Sequence, residues 1–486
     1  MTLAVIALYL VVVLAIGWVA QRVFRGTGED YFVATRSIGS FVLLMSLFGT
    51  HMTAFALLGA SGEAYHRGIG VFALMASSSA FIAPLAFLFL APRIWELGRR
   101  HGYRTQVQLF RDRWGSDGLG LLLFVVLIAL LVPYLVIGIK GGGITLHEIT
   151  DGQMPIWVGS LAMCSVVLAY VLAGGLRGTA WANTFQTLVF MILGGVTFAV
   201  ITSKLGGLGA TLARVAEVDV SLLMRGDRIG RAELLSYAAI PLSVAMFPHI
   251  FMHWLTARST RAFRAPIVGY PLCMMVVWIP SVLLGVIGAA EIPGLQGPAA
   301  NSVLVRMIAQ HAPGLLAGLL AAGVFAAVMS SLDSQALAAS SMFTHDIVRH
   351  YGFDDRMDDR AQVLAGRLFV VAILAITFAI ALSTDRSIFK MGIWAFSGFS
   401  ALTPVVLAAL YWRRSTRAGA LASVSVTSLL WLYFLSRAWE NPAYTPFGWG
   451  VQPVVVLLAA SALALVGVSL VTRAPQADRL ARFFDA

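Results

Sequence analysis

The chain has 486 residues, of which 59% are hydrophobic and only 12% charged; an ordinary soluble domain carries about 25% charged residues. Such a composition excludes a soluble multidomain protein and marks an integral membrane protein. The net charge of +11 does not point to nucleic acid, because the arginines cluster in short loops between apolar blocks.

Apolar blocks of about 20 residues, enough to cross a bilayer as a helix, recur along the chain. They lie at about 3–24, 38–62, 71–93, 119–146, 154–172, 179–203, 233–256, 267–290, 314–348, 365–384, 389–412, 417–437 and 451–472. Thirteen helices are therefore expected. The first block, within "MTLAVIALYLVVVLAIGWVAQRVFR", lacks the basic leader of a signal peptide and is nearer spanning length, so it reads as a retained helix. An odd number of spans puts the termini on opposite sides. With the N-terminus outside, 23 of the 34 Lys and Arg fall on the cytoplasmic side, which is the orientation the positive-inside rule prefers. The C-terminus is then cytoplasmic, and a cell (inner) membrane location follows. The charge run 351–362 reads as a solvated cytoplasmic loop, and Cys164 and Cys273 as small buried hydrophobes.

Two blocks are interrupted. "MSLFGTHMTAFALLGASG" (45–62) mixes glycine, threonine and histidine into the second helix, and "SVAMFPHIFMHW" (243–254) sets Pro248 in the seventh. Interruptions five helices apart are the mark of an inverted-repeat transporter whose site lies at the membrane midplane. Kinking and close helix packing explain the same residues without a site.

"AAVMSSLDSQALAASS" (326–341) puts five serines and an aspartate inside the ninth block. On a helix Ala327, Ser330, Ser331, Ser334, Ala338 and Ser341 share a face. Hard cations take several oxygen ligands. Hydroxyls of Ser330 and Ser331, with the carbonyl of residue 327, supply three oxygens, and unwound backbone within 45–62 is the source of more. His249 and His253 are four apart, but no third ligand accompanies them, so no transition metal is expected.

Four stretches together resemble the sodium:solute symporter family: "GGLRGTAWANTFQTLVFMILGG" (174–195), "MFPHIFMHWLTARS" (246–259), "AAVMSSLDSQALAASSMFTHDIV" (326–348) and "ALYWRRSTRAGALAS" (409–423). The resemblance implies an all-α membrane protein of the leucine-transporter type, about 13 helices in all. Two five-helix halves (38–203 and 233–412) form an inverted repeat, preceded by one helix and loop (1–37) and followed by two helices (417–472), in a single transporter domain. It implies a sodium site made by backbone carbonyls of Gly49, Met52 and Ala327 and hydroxyls of Ser330 and Ser331. It also implies solute contacts from Thr53, Phe55, Pro248, His249, Trp394 and Ser397, with Gln186 near the solute or gate, although helix-to-helix hydrogen bonding explains Gln186 nearly as well.

The sequence departs from that family where a second cation site commonly has an aspartate, since Asn183 stands there. Position 51 is His51, and Asp333 brings a carboxylate beside Ser334. Asn183, Asp333, Ser334 and His51 are therefore expected to shape either a modified second cation site or a proton-coupled one; a structural role for Asp333 explains its presence equally. The expected activity is sodium-coupled symport of a small organic solute, best matched by a short monocarboxylate. Rival readings are a proton-coupled symporter of the same fold and a transporter-like membrane sensor. No enzymatic constellation is present, and the expected partners are the solute, Na+ and the lipid bilayer, without nucleic acid or an obligate protein partner.

Overall fold

The computed structural model describes residues 2–23, 36–226, 228–352, 359–441, 444–448 and 450–484. Much of the charge run 351–362 lies outside them, as does most of the loop in 1–37. Among the described residues the fold is all-helical, with one isolated bridge between Ile38 and Ala257.

Ten helices are long and apolar enough to span a bilayer, beginning with the segment at Thr2–Val19 and ending with Pro453–Val471. Two further spans are broken pairs. Ser40–His51 and Phe55–Arg67 meet at 57°, and Arg231–Ala245 and Pro248–Thr256 meet at 48°. The fifth expected block forms a shorter apolar helix, Ile156–Leu172. Its 17 residues rise only about 26 Å, somewhat under the ~30 Å hydrocarbon core. It runs through Gly175 (φ 54°) into the next span, a left-handed turn that glycine enters without a side-chain clash.

Both expected breaks are present, and each has a local cause. Helix Ser40–His51 ends at Met52, whose backbone is extended (φ −83°, ψ 108°), and the chain resumes as a π-turn at Phe55–Gly59. In the second pair, Pro248 occupies the first turn of its helix, where its missing N–H costs nothing. The residue before it, Phe247, is extended, as the proline ring demands.

The Gly314–Met342 helix is the axis of the molecule. Every residue from Leu320 to Met342 is buried, although Ser, Asp and Gln are among them. It packs chiefly against the Ile156–Lys204 stretch, Asp117–Ile149 and the N-terminal helix. The outward faces are apolar instead: Leu8, Phe81, Leu272 and Leu368 are all exposed, as a lipid-facing belt requires. This is a multi-pass membrane protein.

With lipid outside, helix association depends on close packing rather than on expelling water. Gly285 shows how tight the fit is, since a Cβ there would stand 2.1 Å from the carbonyl oxygen of Ser61. Gly285→Leu is therefore expected to lower the midpoint of thermal unfolding in detergent, an overpacking cost of about 1–3 kcal/mol. Gly195→Leu, with open space around it, is the matched control and leaves the midpoint near wild type.

Candidate ion and solute site

Where helix Ser40–His51 stops, the carbonyls of residues 49–52 lose the amides that would otherwise receive them one turn later. Gly49 is buried there, and a Cβ on it would stand 2.1 Å from Thr187 Oγ1, so glycine alone permits this approach. Thr187 in turn donates to Met45 O at 3.0 Å. The freed Gly49 carbonyl accepts from Ser330 Oγ at 2.9 Å, and the same hydroxyl lies 3.0 Å from Ala327 O. Three of the five expected sodium ligands thus converge at one point. Ser331 is buried beside them with its hydroxyl donating to Val328 O at 3.0 Å, and Met52 is the buried residue that ends the helix. Oxygens alone meet here, which suits a hard cation.

Asp333, Ser334 and Asn183 also come together. Ser334 Oγ donates to Asp333 Oδ1 at 3.0 Å and accepts from Asn183 Nδ2 at 2.8 Å. Tyr170 donates to Asp333 Oδ2 at 2.8 Å, and His253 Nε2 lies 3.2 Å from Ser334 Oγ. Asp333 is fully buried and forms no ion pair with Lys or Arg among the described residues. Tyr170 was not singled out by the sequence; its signal was a phenol in an otherwise apolar helix, which needs a hydrogen-bond partner when buried. His253 belongs to this group and not to a metal pair, because His249 points elsewhere.

Two expectations need correction. His51 does not join the Asp333 group: at the helix end its ring stacks on Tyr270, hydrogen-bonds that phenol and meets Phe247 edge-on. Gln186 does not join the solute residues. It is buried beside Tyr9 and Tyr170, on the Asp333 side.

The remaining solute candidates divide in two. Thr53, Phe55, Pro248 and His249 are buried around a cluster of rings. Phe55 stacks on Phe389 at 4.8 Å and meets Phe396 at 5.0 Å; His249 stacks on Phe247 at 5.1 Å and meets Tyr134 at 5.5 Å. Thr53 Oγ1 and both ring nitrogens of His249 have no hydrogen-bond partner among the described residues, which is unusual for buried polar atoms. Trp394 and Ser397 instead line a cavity of about 880 Å³ beyond the rings. Tyr134, Phe247 and Phe396 were not nominated individually, because one apolar ring looks like another until packing brings them to one place.

A polar cluster stands just past the C-terminal end of the central helix. Asp346, fully buried, accepts from Thr105 Oγ1 at 3.1 Å and lies 3.8 Å from Arg111, while Gln106 Nε2 donates to Met246 O at 3.1 Å.

The model of the sodium:solute symporter family matches residues 31–426. The chain is 27% identical over 470 residues to the high-affinity proline transporter PutP of Bacillus subtilis, covering 94% of this chain and 95% of that one. It is 26% identical over 512 residues to the sodium/proline symporter of Haemophilus influenzae, covering 100% and 97%. Among solved structures, a Na+-coupled sialic acid symporter in a substrate-bound outward-open state superposes with a TM-score of 0.80 at 16% identity, over 98% of both chains. Mhp1, a nucleobase-cation-symport-1 family transporter, gives 0.59 at 12% identity, over 93% and 97%.

The Asp333 group yields a direct test. Tyr170→Phe leaves Asp333 Oδ2 without its donor, at a cost of about 1–3 kcal/mol for a buried acceptor. A lowered unfolding midpoint is the expected outcome, whereas Tyr433→Phe, at an exposed position, leaves it unchanged.

Proposed function

Because the chain belongs to the sodium:solute symporter family, we propose that it imports a small zwitterionic amino acid, proline first among candidates, together with sodium. Sodium is the coupling ion and symport the class of activity. The proposal assigns the ion to Gly49, Met52, Ala327, Ser330 and Ser331, the wide cavity to the outside, and the two halves of the repeat to 38–203 and 233–412.

The observation that carries the ion assignment is the 2.9 Å contact from Ser330 Oγ to a carbonyl freed by the break at residue 52. An ion seated there ties the broken span to the unbroken Gly314–Met342 helix, so its arrival changes how the two pack. That is what coupling requires: the ion shifts the equilibrium only through different affinities in the two states. One sodium ion moving inward through 100 mV releases about 2.3 kcal/mol, enough for more than tenfold accumulation of a neutral solute.

The solute assignment moves from a monocarboxylate to an amino acid for a physical reason besides the relatives' names. Helix Ser40–His51 presents its C-terminal end to the ring cluster, and Pro248–Thr256 its N-terminal end; His51 and Phe247, at those ends, are 5.6 Å apart. The first end is partially negative and suits an ammonium, the second partially positive and suits a carboxylate. A zwitterion uses both. Thr53 and His249 supply unpartnered hydrogen-bonding atoms beside them, and Phe55 an apolar wall for the ring carbons.

Uptake of radiolabelled proline into proteoliposomes holding the full chain tests this. Uptake is expected to need an inward sodium gradient, to fail with potassium, and to resist competition by lactate. Ser330→Ala is expected to raise the sodium concentration for half-maximal uptake about tenfold or more, since it removes one ligand from a small set. Sodium-independent uptake would defeat the ion assignment; sodium-dependent uptake of lactate but not proline would defeat the solute assignment alone.

A further inference from the structure

The 880 Å³ cavity falls in the range of pockets that hold drug-sized ligands, about 300–1,000 Å³, and it has its own chemistry. Six charged side chains line it: Glu63, Arg67, Arg231, Glu233, Arg386 and Lys390. Arg67 accounts for both acids, gripping Glu233 with two nitrogens at 2.8 and 2.7 Å and reaching Glu63 at 3.5 Å. With four cations set against two carboxylates the wall carries a net charge of +2, and Arg231, Arg386 and Lys390 make no ion pair with either acid.

Arg386 is held in place from behind. The Lys140 ammonium donates to the carbonyls of Thr384 and Arg386, each at 2.8 Å, which fixes the loop that carries Arg386. Its guanidinium lies over the Trp439 ring, 4.6 Å from the centroid, and one nitrogen donates to Trp439 O at 2.8 Å. Trp439 is one of three indoles in the wall, with Trp394 and Trp431. Trp431 is itself pinned, its Nε1 donating to Trp394 O at 2.9 Å. Cations with unspent donors thus stand beside flat, fixed apolar faces.

We propose that this cavity is a second binding site, separate from the ring cluster around Phe55 and His249 that the proposed function makes the solute chamber, for an organic monoanion with a planar apolar body. The carboxylate of such a ligand is drawn by Arg386 and Lys390, and its ring lies against the indoles. A net positive charge in a confined cleft also raises the local concentration of anions. A ligand held there occupies the way into the chamber.

Radiolabelled benzoate is the probe, with benzamide as its uncharged counterpart, on the purified full chain. Saturable benzoate binding is expected, weakened by added salt because the cations are partly solvated, and poorly displaced by benzamide. Arg386→Gln combined with Lys390→Gln is expected to weaken it about tenfold. Trp439→Leu, at a position exposed enough to spare the fold, is a second variant expected to weaken it similarly. Binding is expected to persist in Ser330→Ala and with potassium replacing sodium, which keeps the outcome independent of the symport assignment. Absence of saturable binding, equal displacement by benzamide, or wild-type affinity in the double variant overturns the proposal. So does loss of binding in Ser330→Ala, which would place benzoate in the chamber.

Discussion

One hydroxyl joins the first broken span to the unbroken helix at the centre of the protein. Ser330 Oγ stands 2.9 Å from Gly49 O and 3.0 Å from Ala327 O, linking a broken span to the unbroken helix at the centre. The contact exists only because helix Ser40–His51 stops short. A backbone left without partners at membrane depth is costly unless it is buried in protein or lines a cavity. Here it is buried in protein, and oxygens that suit a hard cation are the product. Gly49 belongs to the same constraint, because the Thr187 hydroxyl fills the space a side chain would take.

The Asp333 group carries the other notable charge in the core. Tyr170, Ser334, Asn183 and His253 close around a fully buried carboxyl group, contributed by three separate stretches of chain. Removing any one member leaves a polar atom in a dry place. This makes the group stiff, and it locks the central helix to the Ile156–Lys204 stretch and to the second half of the other broken span. Asn183 carries no charge of its own; the acid sits on the facing helix, one hydroxyl away.

Charge and aromatic surface are segregated along the permeation axis. The wide cavity is lined by four basic and two acidic residues and by three indoles. Phe55, Tyr134, Phe247 and Phe396 pack in a ring cluster, with Thr53 and His249 as buried polar residues beside it. Just past the C-terminal end of the central helix, Asp346 accepts from Thr105 and lies 3.8 Å from Arg111.

Local signals wrote much of this into the chain. Apolar block length set the spans, failing only at Ile156–Leu172, where a short helix continues through Gly175. Glycine, threonine and proline marked both breaks, since their effect on the backbone acts within one or two residues. The spacing of Ser330, Ser331 and Ala327 put three oxygens on one helical face, because helical geometry is itself local. Only the tertiary structure decided which side chains share a site. His51 turned to Tyr270, Gln186 to the side of Tyr9 and Tyr170, and His253 to Ser334 and not to its neighbour four residues away. Those outcomes depend on which face of each helix meets which neighbour. In a lipid-embedded bundle, close packing of small residues sets that choice, and no single segment contains it.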